Sequence, residues 1–508
     1  MFIRKKKNRS GSISVQLLQK VNGRNKLIKT IGSAIESSEI ALLVAKANQE
    51  MEAVSKQRSI FVSEQDAAIE SFISGLSNCQ VRTSGPELVV GKIYDYIGYN
   101  TIDKNLFRHL VIARLAYPLS KLKTIEYLYR FQGVMLGIDS VYRFLDKLNN
   151  DLKEQVELIS FTHTKRVLNN SLGIVFYDMT TLYFEASDED DLRKTGFSKD
   201  GKHSNPQIFL GLLVGIGGYA IGYEIFEGNI YEGRTLIPVI ERMSQKFDLG
   251  KPVIVADAGL LSIDNIRALE QEGYEYILGA RIKNESKVIV EQIEAANLKN
   301  GECVTIKKAG GRLIVHYSES RARKDAHNRE RGLKKLEKQI TSGKLSKAQI
   351  NNRGYNKYLK MEGDVTITID KDKYNNDKKW DGLKGYFTNC KLAPQTIIDN
   401  YKNLWHVEKA FRMSKTDLRI RPIYHRLRSR IEAHICISFV AYTIYKDLER
   451  ALMHEAFPLS VEKALELTHN IYHVEIMLPD SKEIRSIPLK MDKLQTELIE
   501  IINKNYPG

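Results

Sequence analysis

The chain has 508 residues, with 77 Lys+Arg against 62 Asp+Glu and a formal net charge of +15, so it exceeds one ordinary core and at least two domains are expected. The basic excess points to a polyanionic partner, and nucleic acid fits better than membrane, because no apolar run approaches the roughly 18 residues of a spanning helix. Cys79, Cys303, Cys390 and Cys436 lie far apart without a Cys-x-x-Cys pair, which argues against a zinc ribbon or disulfide framework and fits a reducing cytoplasm.

Residues 1–32 hold nine Lys/Arg and no acid. No apolar stretch follows Met1-Phe-Ile-Arg-Lys-Lys-Lys, so a signal peptide is not expected. Ser12-Ile-Ser-Val-Gln-Leu alternates, and Asn22-Gly23 is a two-residue turn signal before Lys26-Leu-Ile-Lys-Thr-Ile, so a basic β-hairpin is predicted. It reads equally as a DNA-contacting arm and as a solvated hairpin. Residues 36–75 and 101–165 show helical spacing, as at Leu106, Leu110, Ala113 and Leu115. The stretch Ser140-Val-Tyr-Arg-Phe-Leu-Asp-Lys-Leu reads first as an amphipathic core helix and second as part of a DNA-binding unit.

From residue 172 the pattern changes to short apolar strands. Gly173-Ile-Val-Phe-Tyr-Asp178, Phe209-Leu-Gly-Leu-Leu-Val-Gly-Ile and Tyr219-Ala-Ile-Gly-Tyr-Glu-Ile-Phe lead to a helix over 236–247. Pro252-Val-Ile-Val-Ala-Asp257, a helix over 262–272 capped by Ser262, and Tyr274-Glu-Tyr-Ile-Leu-Gly-Ala follow. The order β-β-β-α-β-α-β is that of an RNase H-like α/β fold, in which the first and fourth strands are neighbours and would bring Asp178 beside Asp257. Residues 284–380 interrupt this core with strands near Cys303, Arg312 and Asp364 and a polar helical stretch. From Glu319 to Lys357 there are twelve Lys/Arg against four acids, which reads as a solvated helical hairpin or as a DNA-tracking surface. A strand, Gly385-Tyr-Phe-Thr-Asn-Cys, and a helix from Ala393-Pro394 that carries Glu408 resume the core, before a long apolar helix over 431–452.

Asp178 and Asp257 each end an apolar strand that would otherwise exclude charge. Glu408 and Lys415 are seven residues, two helical turns, apart and share a side of their helix. Two strand-end aspartates and a helical glutamate supply the hard oxygen donors that divalent cations prefer in phosphoryl transfer. The chain has no Gly-x-x-x-x-Gly-Lys-Ser/Thr element, so an ATP-driven remodeller is not expected. His406, His425 and His434 form no metal-ligand spacing. His203 reads as a loop histidine near DNA before a general base, which a two-metal mechanism does not require, and Trp405 reads as a packing residue before a base-stacking platform.

Taken together, Tyr177-Asp-Met-Thr-Thr-Leu-Tyr-Phe-Glu, Gly196-Phe-Ser-Lys-Asp-Gly, Phe226-Glu-Gly-Asn229 and Tyr401-Lys-Asn-Leu-Trp-His-Val-Glu-Lys-Ala-Phe-Arg-Met-Ser-Lys415 resemble the DDE transposases of bacterial insertion sequences. The branch is the one marked by Tyr-(2)-Arg-(3)-Glu-(6)-Lys, with Leu404 at the arginine position. The likeness covers about 172–450. It implies an RNase H-like catalytic domain interrupted by a β-rich and helical insertion, with a mostly helical N-terminal DNA-binding region.

The implied segments are a basic arm over 1–35, the helical region over 36–170, the catalytic core over 171–283 and 381–455, the insertion over 284–380 and a tail over 456–508. Asp178, Asp257 and Glu408 would be catalytic residues and ligands of two Mg²⁺ ions, with Mn²⁺ as the substitute. Tyr401 and Lys415 would bind transposon-end phosphates, although Tyr401 by itself reads equally as a core-packing residue, and Arg412, Arg419 and Arg421 would stand in for the missing arginine. The expected partners are double-stranded DNA, as terminal inverted repeats and target, and a second copy in a synaptic homodimer. The expected place of action is the bacterial cytoplasm, at the nucleoid. A catalytically silent DNA-binding descendant and an RNase H-like nuclease are the alternatives; the basic arm and insertion favour the transposase over the nuclease.

Overall fold

A computed structural model of the chain describes residues 1–8, 11–55, 69–70, 72–77, 80–170, 172–198, 201–247, 249–343, 345, 350–351, 354–362, 366–477 and 483–507. Lys199 and Asp200 of the Gly196 motif, and Gly363 to Val365 of the strand expected at Asp364, lie outside them. Two compact units divide the chain, Met1–Asn78 and Cys79–Gly508.

In the first unit, β1 (Phe2–Lys7), β2 (Ile13–Val21) and β3 (Arg24–Ala34) form an antiparallel sheet, followed by α1 (Ser37–Ser55). The β2–β3 turn is the expected Asn22-Gly23, with φ of 49° and 77°. A two-residue hairpin turn of this hand needs positive φ at both central positions, which Asn and Gly tolerate. The hairpin gains a third strand, β1, paired from Phe2 with Leu18 to Lys7 with Ile13. Arg4 to Lys7 carry no apolar alternation to announce it; lysine on an edge strand blunts further pairing, so composition and position agree.

The second unit begins with β4 (Val81–Thr83) and a helical run: α2 (Lys92–Ile97), α3 (Asn105–Ala116), α4 (Lys121–Gln132), α5 (Ile138–Asp151) and α6 (Lys153–Val167). On α5 the residues Val141, Leu145 and Leu148 are buried in the main core. That i, i+4, i+7 spacing is the packing face of an amphipathic helix.

An eight-stranded mixed sheet follows, in the order β10-β11-β14-β9-β8-β5-β6-β7. Its centre is β5 (Ile174–Tyr183), antiparallel to β6 (Gln207–Val214) and parallel to β8 (Val253–Ala256). Outside these lie β7 (Ala220–Glu227), antiparallel to β6, and β9 (Tyr276–Ala280), parallel to β8. The crossovers contain α7 (Leu236–Phe247) and α8 (Ile263–Gln271). First and fourth strands are therefore neighbours, the arrangement expected of the RNase H-like order but not fixed by strand order alone. All four residues of β8 are buried, because a parallel strand covered on both faces has no solvent side.

The segment after β9 contains α9 (Lys287–Ala295), β10 (Cys303–Lys308), β11 (Gly311–Tyr317), α10 (Glu319–Thr341), β12 (Leu359–Glu362), β13 (Thr366–Ile369) and α11 (Lys371–Asn376). Here β10 and β11 join the central sheet through β14 (Leu383–Thr388), whereas β12 and β13 pair only with each other.

The helix expected to run from Ala393 through Glu408 is two helices, α12 (Pro394–Lys402) and α13 (Trp405–Thr416). Between them Leu404, His406 and Val407 donate to carbonyls three residues back, those of Tyr401, Asn403 and Leu404. The tighter i→i−3 turn breaks the regular ladder and changes the angular offset between Tyr401 and Glu408. The apolar α14 (Arg428–His454) is buried around most of its circumference and packs against α3, α5, α6 and β7. The unit closes with α15 (Val461–Thr468), β15 (Tyr472–Met477), β16 (Ile484–Pro488) and α16 (Lys493–Asn505). Among the described residues no helix is long and apolar enough to cross a membrane.

Candidate active site

Tyr177 on β5 pairs with Ala256 on the parallel β8, so Asp178 and Asp257 follow at the same level. Asp257 ends its strand as expected, whereas Asp178 does not: β5 continues to Tyr183 because it pairs with β6 along Phe176–Tyr183. Phe176 and Val255 face the helical core, while Tyr177 and Ala256 face the opposite core with α7. Strand alternation therefore directs both aspartates to the helical side. Each is braced the same way: Asp178 Oδ1 accepts from Met179 N–H at 2.7 Å, and Asp257 Oδ1 from Ala258 N–H at 2.6 Å.

Helix α13 packs over β5 and carries Glu408 at an exposed position. Val407, Ala410, Phe411, Met413 and Ser414 form its buried face, which leaves Trp405, Glu408 and Arg412 on the open side. Lys415 is part-buried two turns after Glu408. Trp405 is half exposed with its ring 4.2 Å from that of His406, so it does not act as a core residue.

Tyr401 is 4% exposed. Its hydroxyl donates to Asp257 Oδ1 at 3.4 Å, and its ring meets Tyr386 at 4.9 Å. Burial, then the charge of Asp257, holds its phenol far above the ordinary range. Gly279 makes the approach possible. A Cβ there would collide with the Tyr401 hydroxyl and lie 2.9 Å from Ala258 N.

Lys384 was not singled out by the sequence. It stands on β14 with its ammonium 4.4 Å from the Tyr401 ring centroid. Burial lowers its pKa and Arg321 adds to that, whereas the charges of Asp257 and Glu408 oppose it. One lysine therefore senses both carboxylates. The signal available was a lysine alternating with Tyr386 on a short strand, a pattern too common to stand out. Glu232 was also missed; a Cβ at Gly259, in the turn after Asp257, would lie 3.2 Å from its Oε2.

The remaining expected residues are dispersed. Arg412 lines a cavity of about 510 Å³ with Tyr445, Glu449 and Glu462. Arg419 lines one of about 320 Å³ with Glu462, Glu466 and His469. Arg421 lies over the Tyr183 ring at the end of β5, 5.8 Å from its centroid. Leu404, at the position where the signature has arginine, is 5% exposed in the core between α12 and α13. A guanidinium could not replace it there without losing its hydration. His203 Nδ1 accepts from Ser198 N–H within its own loop. Among the described residues no three His, Cys, Asp or Glu side chains stand close enough to hold a metal ion.

No curated protein matches the chain. Among solved structures it is similar to the piggyBac transposase synaptic complex with hairpin DNA, at 11% identity and a TM-score of 0.38, over 84% of this chain and 85% of that one. Residues 171–444, more than half of the chain, match the family described as the transposase DDE domain. That span contains Asp178, Asp257 and Glu408, and the chain belongs to the DDE-domain transposase family.

Proposed function

We propose that the protein is an insertion-sequence transposase that cleaves DNA at the ends of its element and joins the freed 3′ ends to target DNA. The observation that carries this reading is the adjacency of Asp178 and Asp257 on parallel strands beneath the helix bearing Glu408. Strand cleavage and transfer need no covalent protein nucleophile. They need an attacking oxygen activated and a leaving oxygen stabilised, which bound divalent cations supply.

Asp178, Asp257 and Glu408 are an oxygen-only donor set, the chemistry that Mg²⁺ takes. Asp178 within β5 and Asp257 directly after β8 give fixed placement, and the exposed Glu408 gives reach. Tyr401 restrains Asp257, and Lys384 balances the negative charge of Asp257 and Glu408. Lys415, on the helix of Glu408, is assigned to a phosphate of the element end as a point charge. Arg421 beside Tyr183 would extend that contact along the sheet edge. A homodimer that synapses two ends is the assembly this chemistry calls for.

The test is cleavage of a duplex carrying the element's own terminal repeat with Mg²⁺, comparing wild type with Asp257→Asn. Nicking at the repeat boundary by wild type only supports the reading. Specific binding without cleavage by either protein would replace it with a silent DNA-binding descendant.

A further inference from the structure

Behind the segment that links α13 to α14 lies a set of buried basic groups, of which Arg114 and Lys121 have no matching acid among the described residues. Arg114, near the end of α3, is 5% exposed; its Nη1 donates to the Leu418 carbonyl at 3.4 Å and its Nε has no hydrogen-bond partner. Lys121, the first residue of α4, is also 5% exposed. Burial pulls its pKa well down, and the neighbouring Arg114 adds to that. Arg114 itself is pulled to about 10 by burial and keeps its charge at neutral pH.

Two histidines complete the cluster. His434 on α14 is 6% exposed and uses Nε2 on the Ile420 carbonyl at 2.9 Å, which leaves Nδ1 without a partner. Since the carbonyl can only accept, Nε2 carries the proton and Nδ1 is bare in the neutral ring. The ring of His425 lies 5.6 Å from that of His434. Burial, followed by Lys121, Arg114 and Arg430, drives its pKa to about 4, with Asp146 opposing.

The charged and titratable groups of this cluster are Arg114, Lys121, His434, His425 and, from α5 and the start of α14, the pair Asp146–Arg430. Asp146 is already engaged, accepting from Arg430 Nε at 2.6 Å and Nη2 at 2.8 Å. Among the described residues Arg114 and Lys121 have no carboxylate partner. A buried guanidinium with an idle N–H beside a buried amine is a costly arrangement, unless something anionic completes it. Over the cluster runs residues 418–431, with Arg419, Arg421, Arg426, Arg428 and Arg430 and no acid. This segment is tied to the end of β5 by the Phe184–Ile423 bridge.

We propose that Arg114, Lys121, His425 and His434 form an anion site that takes one phosphate group, carried either by a DNA backbone or by a free phosphate. Arg114 Nε and the Lys121 ammonium donate to its oxygens. His434 takes up a proton at Nδ1 and becomes a further donor, so binding is accompanied by proton uptake from solvent. Its occupancy is read without cleavage.

The test uses the full chain at pH 7 and constant ionic strength, with sodium phosphate replacing sodium chloride. The expected result is a saturable rise of the unfolding midpoint for wild type and for the control Leu489→Ala, with at least a tenfold loss of phosphate affinity in Lys121→Met. Calorimetry of wild type in two buffers of different ionisation heat should show proton uptake on binding, and it stands even where Lys121→Met does not fold.

The source is separated with a short duplex. Loss of duplex affinity in Lys121→Met, together with a salt slope smaller by about one, assigns the phosphate to DNA. Unchanged duplex binding with retained phosphate binding by wild type assigns it to the free anion. Absence of phosphate-specific stabilisation in wild type, or an equal response in wild type and Lys121→Met, overturns the site.

Discussion

The Tyr401 hydroxyl, on the last turn of α12, donates to Asp257 Oδ1 at 3.4 Å, and that same oxygen accepts Ala258 N–H at 2.6 Å. One carboxylate oxygen is thus held from both sides. A side chain for which the sequence leaves DNA contact and core packing equally open is buried in the protein and turned toward a candidate ligand. On the proposed reading, Tyr401 acts as a positioning residue for Asp257.

Tyr401→Phe keeps the ring against Tyr386 and removes only the hydroxyl. Cleavage of the terminal-repeat duplex should fall about tenfold, the scale of one hydrogen bond to a charged group, with end binding unchanged. Equal loss of binding and cleavage would return Tyr401 to a DNA-contact role.

Gly279→Ala inserts a methyl group between Tyr401 and the turn after Asp257. Overpacking of this kind costs about 1–3 kcal/mol, and the midpoint of urea unfolding should drop accordingly. Activity should fall further than in Tyr401→Phe, because the backbone at Ala258 is displaced as well.

Leu404→Arg would place at this position the arginine of the signature that the chain resembles, yet it should not create a phosphate contact. The side chain is buried among apolar neighbours, so the substitution should destabilise the chain by about 3 kcal/mol or more. Soluble, stable Leu404→Arg protein with stronger end binding would show that α12 and α13 open at this position.

His425 has a folded pKa of about 4 against an ordinary value of 6.5. Between those values the unfolded chain binds a proton that the native chain does not, so stability is full above about pH 6.5 and falls as the pH drops toward 4. The loss amounts to at most about 3 kcal/mol from this group, and the depressed His434 acts in the same direction. His425→Gln should flatten the profile in that window, as followed by denaturant midpoints at a series of pH values. An unchanged slope would remove His425 from the titration.

The strand pattern was legible because burial on both faces leaves a plain signal. Ile-Val-Phe-Tyr and Val-Ile-Val-Ala are continuous apolar runs, and each breaks off at an aspartate. The Asn22-Gly23 turn was legible for a similar reason, since few residues accept its backbone. Edge strand β1 was not, because pairing is an interaction with a partner that its own lysines do not encode.

By itself, the sequence determined the alternation of strands and helices, the place of Asp257 at the end of β8, and the segments that resemble those of DDE transposases; pairing with β6 carries β5 on to Tyr183 and leaves Asp178 midway along it. These depend on local periodicity and on residue chemistry, which the chain carries in order. The tertiary structure alone decided that Tyr401 turns inward to Asp257, that Lys384 senses both Asp257 and Glu408, and that Leu404 is core. It also decided that Arg412 and Arg419 line grooves with acids, and that Arg114, Lys121, His425 and His434 meet. Those outcomes come from packing between segments up to some 300 residues apart, where the direction of a side chain depends on what another part of the chain leaves room for.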